Sequence, residues 1–283
     1  MLADVGLELG YFSGLARILE RRTGGSGAIL KFEHVRPRRG DPFQPLRPYE
    51  ITPEFLDKAI AALKRWGFDF LSIGEVAERA QQPALAQRFV CLTFDGAHRD
   101  FMTYAYPVLS RHRVPFTLYV PTGFVDGIGK AWWLALEQVI ARNARIGLVM
   151  NRAERHFFAA RLSEKDQLYD ALHGWMMTLS PDDVAIAIGD LCGRYGVDIN
   201  AISRDIAMNW QDLAKLAREA GFISAVSTGP GVVRSDGQSE LMALPRIAWD
   251  GRRNSLRALR VVLSGITLRK AKVRVQEPAV NYG

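Results

Sequence analysis

The chain has 283 residues, 48% of them hydrophobic, and includes six tryptophans and fourteen phenylalanines. This composition supports one large core or two small ones and excludes an intrinsically disordered protein. No run approaches eighteen apolar residues, so the sequence predicts no transmembrane helix. The two cysteines, Cys91 and Cys192, are far apart and form no C-x-x-C motif, which favours reduced, buried thiols.

The net charge of +7 is concentrated near the C-terminus. Residues 251–277 carry eight basic residues and one acid, whereas the 29 basic and 29 acidic residues elsewhere balance. We expect a basic C-terminal helix and tail over about 251–283, docked on the body with a solvated face. The alternative is contact with an anionic membrane surface. Nucleic acid is not an expected partner, because no aromatic residues are interleaved with the bases.

Predicted strands and helices alternate in the first half of the chain. The predicted strands are 28–35, 68–73, 89–95 and 115–120, and the predicted helices are 11–22, 52–66, 74–80 and 100–111, with a Pro- and Arg-rich loop at 36–49. Strands separated by helices pair in parallel. The sequence therefore predicts an α/β fold that is a partial or distorted (β/α) barrel.

The character of the chain changes to helical over about 130–206. Trp132 and Trp133 open one helix, Ser163 begins another, and Ser180 caps a third. We interpret this segment as a helical insertion in a single domain spanning 1–283. A further helix is expected at 210–220, with strands at 222–228 and 243–247.

A single carboxylate follows the most apolar strand, in the segment Thr93-Phe-Asp-Gly-Ala-His-Arg-Asp100. Asp95 lies at the C-terminal end of this strand, and a helix and the strand 115–120 come next. Ligands and catalytic residues occupy this edge in open and barrel α/β sheets. Asp95 is therefore the leading candidate for a catalytic residue.

This segment resembles the first motif of the polysaccharide deacetylase family (NodB homology domain, carbohydrate esterase family 4), which usually runs T-F-D-D-G-Y-R-D. The resemblance implies a NodB-type fold and hydrolysis of N-acetyl amide C–N bonds in polysaccharides or chitooligosaccharides. Family members use a divalent metal such as zinc, held by one aspartate and two histidines. Other segments match the family in order: His34-Val-Arg-Pro37, Thr52-Pro-Glu-Phe55, Thr122 to Asp126, Trp132 to Glu137, Met208 to Trp210, Gly221 to Gly231, Leu244 to Ile247 and Leu259 to Gly265.

The chain departs from the family at the metal ligands. Asp95 matches the family's general base, but Gly96 stands where the metal-binding aspartate is usual. The family's histidine pair, H-[ST]-x-x-H, is missing, and helix 210–220 runs directly into the segment that follows the missing block. We therefore expect no metal cofactor and a catalytically impaired deacetylase-like protein. The histidines, none of them four residues from another, are His34, His98, His112, His156 and His173.

Two alternatives stay open for the remaining candidate residues. His34, His98 and Asp100 could form a substitute metal site with Asp95, giving an active hydrolase with a non-standard centre. Otherwise His98 lines a substrate groove, His34 caps its strand, and Arg99 forms an ion pair with Asp100 that supports the turn.

Trp132 and Trp133 could be a sugar-stacking platform or core packing at the root of the insertion. A platform would suit a non-catalytic remnant that binds an acetylated oligo- or polysaccharide, or a partner. Open sheet edges would favour a homo-oligomer. The first residues lack the basic region of a signal peptide, so a cytoplasmic location is expected.

Overall fold

The computed structural model describes residues 27–80, 87–221, 226–230 and 244–246. The chain divides into two units, Met1–Asn209 and Trp210–Gly283. The predicted helix 11–22 and the basic segment 251–283 lie outside the described residues.

A parallel sheet in the first unit positions the motif turn. Its strands are β1 (Gly27–Phe32), β4 (Asp69–Phe70), β5 (Phe89–Asp95) and β6 (Thr117–Tyr119). β1 pairs with β5 along one side, from Gly27 opposite Phe89 to Phe32 opposite Phe94. On the other side, β4 pairs with the start of β5 and β6 with its end. The parallel pairing predicted for these strands is confirmed.

Short strands and helices surround this sheet. β2 (His34–Val35) pairs in parallel with β3 (Glu50–Ile51), and helix α1 (Pro53–Arg65) follows. α1 begins as predicted, with Thr52 Oγ1 accepting a hydrogen bond from the backbone N–H of Phe55. The other elements are α2 (Ile73–Ala80), a π-helical turn (Phe101–Ala105), α3 (Tyr106–His112) and α4 (Thr122–Val125).

The predicted strand 68–73 is shorter in the structure, because α2 begins at its last residue. The Glu75 carboxylate accepts hydrogen bonds from both the backbone N–H and the hydroxyl of Ser72. The first of these bonds is the one that the acid of a capping box makes to the N-cap backbone N–H, and it stabilises the start of α2. Only β4, Asp69–Phe70, remains extended.

The segment 130–206 is not helical throughout, which corrects the sequence prediction. It contains α5 (Trp132–Arg142), α6 (Leu162–Met176), α7 (Pro181–Tyr195) and α8 (Ile199–Ile206). Between α5 and α6, β7 (Arg145–Met150) and β8 (Ala153–Phe158) form an antiparallel hairpin. Its two-residue loop, Asn151 and Arg152, has φ angles of 51° and 64°. Positive φ at both central residues is the type I′ requirement, which matches the twist of the paired strands.

The helices and the hairpin enclose a hydrophobic core. Buried residues of α5, α6, α7 and β7 pack together, and Phe43 and Leu46 from the loop after β2 join them. The described strands form one four-stranded sheet and three two-stranded ones. The α/β class is therefore confirmed, and closure into a barrel is not.

The second unit begins with α9 (Trp210–Glu219), followed by β9 (Val226–Pro230) and β10 (Leu244–Arg246), which pair in parallel. These elements confirm the predicted helix and the described parts of both predicted strands; residues 222–225, 243 and 247 lie outside the described residues. Of all the helices in the described ranges, none has the length and apolarity needed to cross a bilayer.

Candidate functional site

The turn after β5 is held at both ends by backbone hydrogen bonds. Gly96 and Ala97 have φ angles of 100° and 47°. The N–H of Gly96 donates to the carbonyl of Tyr119 at 3.1 Å, and the N–H of Met208 donates to the carbonyl of Ala97 at 3.1 Å. Arg99 Nε donates to the carbonyl of Ala207 at 2.7 Å. The turn is therefore clamped between β6 and the chain after α8.

Glycine is required at position 96 by its neighbour as well as by its backbone. A Cβ atom added to Gly96 would lie 2.8 Å from both Cδ2 and Cε1 of His98, and closer still to Nε2. The left-handed φ angle adds strain for any other residue. An aspartate at this position therefore cannot coexist with the His98 ring in its present place.

His34, His98 and Asp100 form a buried cluster beside this turn. The two imidazole rings stack with centroids 4.2 Å apart and 12° between their planes. His34 Nδ1 and Asp100 Oδ2 share a hydrogen bond of 2.7 Å. Within the described part of the chain, His98 Nδ1 and Asp100 Oδ1 are buried without a hydrogen-bond partner.

Burial makes His98 hard to protonate. His98 is 8% exposed, and its pKa is lowered to about 4, first by burial and then by the nearby His34. Asp100 acts in the opposite direction, and Arg36 adds to the lowering. His98 is therefore a neutral imidazole at neutral pH.

Asp95 faces solvent and pairs with a lysine. Its carboxylate is 39% exposed, and Lys31 Nζ lies 3.4 Å from Oδ2. Lys31 also contacts Glu33 at 2.7 Å, and the pKa of Lys31 is raised by Glu33 first and by Asp95 second. An exposed ion pair of this kind contributes little to stability. Its effect here is to hold a cation next to the candidate base.

The residues present do not fit the divalent metal that the resemblance implies. Gly96 provides no ligand. The bond from His34 Nδ1 to Asp100 does not by itself exclude a metal, because metal-bound histidines usually donate their second ring N–H to a carboxylate. A protein zinc site needs at least three ligand side chains around one point. Over the described residues, no three or more His, Cys, Asp or Glu side chains are grouped so that they could hold a metal ion.

The predicted ion pair between Arg99 and Asp100 is wrong. Asp100 bonds to His34 and Arg99 bonds to the carbonyl of Ala207. Consecutive residues at the start of a helix project in different directions, so their side chains do not face each other.

Trp132 and Trp133 lie at the start of α5 and contact other aromatic rings. Trp132 stacks on His173 with centroids 4.9 Å apart, and Trp133 packs on Phe124 at 5.6 Å. Both are partly buried against the hydrophobic core. This packing favours a structural role, and neither ring contacts the histidine cluster. The sugar-stacking role stays a prediction.

A network of partly buried ion pairs was not predicted from the sequence. Glu50 pairs with Arg36 and, at 3.1 Å, with Arg39, and Arg39 reaches Glu137 in α5 at 2.9 Å. Burial disfavours ionisation of Glu50, yet the two arginines outweigh it and the pKa of Glu50 is lowered. For Glu137 burial prevails and its pKa is raised. Two sequence features could have indicated this network. They are the many arginines in 36–47 and the single acid among the apolar residues of α5.

Comparisons with known proteins give a weak structural likeness. No model of a known family and no curated sequence matches the chain. Among solved structures it is similar to the Streptococcus pyogenes deacetylase PplD in complex with acetate (19% identity, 77% of this chain, 90% of that one, TM-score 0.31). It is also similar to a de-N-acetylase from Aggregatibacter actinomycetemcomitans (14%, 83% and 98%, TM-score 0.32) and to IcaB from Ammonifex degensii (16%, 81% and 94%, TM-score 0.30). At these TM-scores the likeness does not establish a barrel or an activity.

Proposed function

We propose that this chain is a NodB-type, polysaccharide deacetylase-like protein whose capacity to hydrolyse N-acetyl groups is lost or severely reduced. The ordered series of sequence segments that resemble polysaccharide and chitooligosaccharide deacetylases supports the first part. The position of the His98 ring against Gly96 is the single observation that carries the second part.

Amide hydrolysis on a sugar needs three things: a polarised carbonyl, an activated water and a proton for the leaving amine. A metal-bound water has a pKa near ~7, against ~15.7 for bulk water. Asp95 is an exposed carboxylate paired with Lys31, and a carboxylate is too weak a base to deprotonate bulk water at a useful rate. With no metal ligand at position 96, Asp95 has no activated water to deprotonate.

Protonation of the leaving amine is also unsupported. An imidazole that acts as a general acid must carry a proton near the working pH. The pKa of His98, lowered to about 4 by burial, keeps its ring neutral there. His98 therefore fills space beside Gly96 and gives no proton to a substrate.

Acetate release tests the proposal directly. The full chain is incubated with N-acetylated chitopentaose and Co²⁺ or Zn²⁺, and acetate is measured by proton NMR. We expect release no faster than that of the Asp95→Asn variant, whose fold is checked by circular dichroism. Metal-dependent acetate release that is lost in Asp95→Asn would contradict the proposal and support an active hydrolase with a non-standard site.

Two titrations separate the remaining alternatives. Calorimetry with Zn²⁺ is expected to give no tight one-to-one binding; tight binding that vanishes in His98→Ala would support a substitute metal centre. Titration with chitopentaose without metal tests the non-catalytic remnant. Saturable binding that is lost in Trp132→Ala and Trp133→Ala, with their folds intact, would favour that alternative.

A further inference from the structure

A cavity lies in the first unit, between the loop after β2 and the start of α1. It has a volume of about 540 Å³, and four arginines line it: Arg36, Arg38, Arg39 and Arg47. Pockets of ~300–1,000 Å³ are the usual size for small-molecule sites. Neither Asp95 nor His98 lines this cavity, so what it binds is a separate question from deacetylation.

The two inner arginines are fixed in place. Arg36 and Arg39 both pair with Glu50, and Arg39 also pairs with the buried Glu137. Their Nε donors are buried and have no hydrogen-bond partner among the residues that the structure describes. Glu50 and Glu137 therefore orient these guanidinium groups and leave donors unused.

The two outer arginines are free to receive a ligand. Arg38 and Arg47 are exposed, and within the described ranges their guanidinium groups have no ion-pair or hydrogen-bond partner. The four arginines and the carboxylates of Glu50 and Glu137 leave a formal charge of about +2 at the cavity. That charge matches a phosphate monoester, which carries about −1.5 to −2 at neutral pH.

The loop that carries the arginines is held in shape without a ligand. Phe43 and Leu46 are 5% and 6% exposed and anchor it in the hydrophobic core. Gln44 Nε2 donates to the carbonyl of Arg39 at 3.0 Å and also to that of Asp41. A loop that is already ordered loses little entropy on binding, so its charges are available for affinity.

The remaining wall of the cavity suits the rest of an organic phosphate. Phe55, in the first turn of α1, lines the cavity and is 56% exposed. An aromatic ring beside guanidinium groups offers an apolar surface for the organic part of the ligand.

We propose that this cavity binds the phosphate group of a small organic phosphate, with Arg38 and Arg47 donating to the phosphate oxygens and Phe55 packing against the organic part. Guanidinium groups bind phosphate through two parallel N–H donors, which gives both strength and orientation. Arg36 and Arg39 supply the fixed positive floor beneath it.

Calorimetry of the full chain with phenyl phosphate and with inorganic phosphate at low ionic strength tests the proposal. We expect saturable one-to-one binding, tighter for phenyl phosphate. The double variant Arg38→Gln/Arg47→Gln should bind at least ~10-fold more weakly. The matched control, Arg65→Gln/Arg142→Gln, removes the same charge from exposed positions and should stay within about 2-fold of the parent.

Phe55→Ala should remove the preference for phenyl phosphate and keep the affinity for inorganic phosphate. Absence of saturable binding in the parent protein would overturn the proposal. An equal loss of affinity in the control variant would show general charge attraction and contradict a specific site. Benzoate binding as tightly as phenyl phosphate would reject phosphate as the recognised group. Arg38 and Arg47 are exposed and unpaired in the described structure, so their removal does not threaten the fold.

Discussion

His34 and His98 present parallel rings to each other at 4.2 Å, yet the structure gives a hydrogen-bond partner to only one of them. His34 bonds to Asp100, whereas His98 Nδ1 has no partner in the described part of the chain. A proton added at Nδ1 of His98 would therefore meet neither solvent nor an acceptor. Stability should depend on pH through this residue.

We predict that the protein loses stability as the pH falls from about 6.5 to 4. In this window an unfolded chain binds a proton at His98 that the native state does not, so the free energy of unfolding rises with pH. The groups that face the ring are His34, Asp100 and Arg36. The loss is at most ~3 kcal/mol. Urea denaturation at half-unit pH steps measures it.

His98→Gln should flatten this slope, because an amide does not titrate. His156→Gln is the matched control, since His156 is exposed and lies in the hairpin. An unchanged slope in His98→Gln would show that the dependence comes from other groups.

Gly96→Ala should destabilise the protein by at least ~2 kcal/mol, with ~1–2 kcal/mol from the left-handed φ angle and the rest from the clash with His98. Gly40→Ala is the control, because a Cβ there meets nothing within 4 Å. Chemical denaturation compares the two. In a His98→Ala background, Gly96→Ala should lower the free energy of unfolding only by the part that comes from the φ angle. An unchanged loss of stability would contradict the contact with His98.

Arg39→Gln should cost ~3 kcal/mol, because it leaves the carboxylate of Glu137 buried without its cation. The loss should shrink as the pH falls, since burial raises the pKa of Glu137 and protonation removes the unpaired charge. The double variant Arg39→Gln/Glu137→Gln should be more stable than the single one. Simple additivity in this cycle would mean that the two side chains do not interact.

Trp132→Ala should lower stability by about 2 kcal/mol, because the ring is stacked on His173 and packs against the core. Trp66→Ala, at a position that is 64% exposed, should change stability by less than ~0.5 kcal/mol. Thermal unfolding followed by circular dichroism gives both values. Equal effects in the two variants would contradict a packing role for Trp132.

Much of the first unit could be predicted because local signals mark its elements. Thr52 and Pro53 define the start of α1, and the apolar run that ends in Asp95 defines β5. The hairpin after α5 could not be recognised in this way. After Arg145, residues 146–150 are apolar without alternation, which is ambiguous between helix and strand, and the loop after them has no glycine. Asn151, which tolerates positive φ, was the only signal.

The sequence predicted which residues lie at the candidate site, but it did not predict the contacts between them. Parallel strands end at one edge, which placed His34 near the turn at Asp95. The bond from His34 to Asp100 and the approach of the His98 ring to Gly96 depend on side-chain rotamers. Packing across distant parts of the chain selects those rotamers, and the sequence does not show it.

Phe43 and Leu46 couple the stability of the loop that carries the arginines to the stability of the helices. The loop departs from the sheet, yet both side chains complete an interior built by α5, α6 and α7. Deletion of 130–206 would expose Phe43 and Leu46 to water. Expression of 130–206 alone would leave a cavity at the positions that these two side chains fill. Removal of the segment 130–206 would therefore also destabilise the loop that carries the arginines.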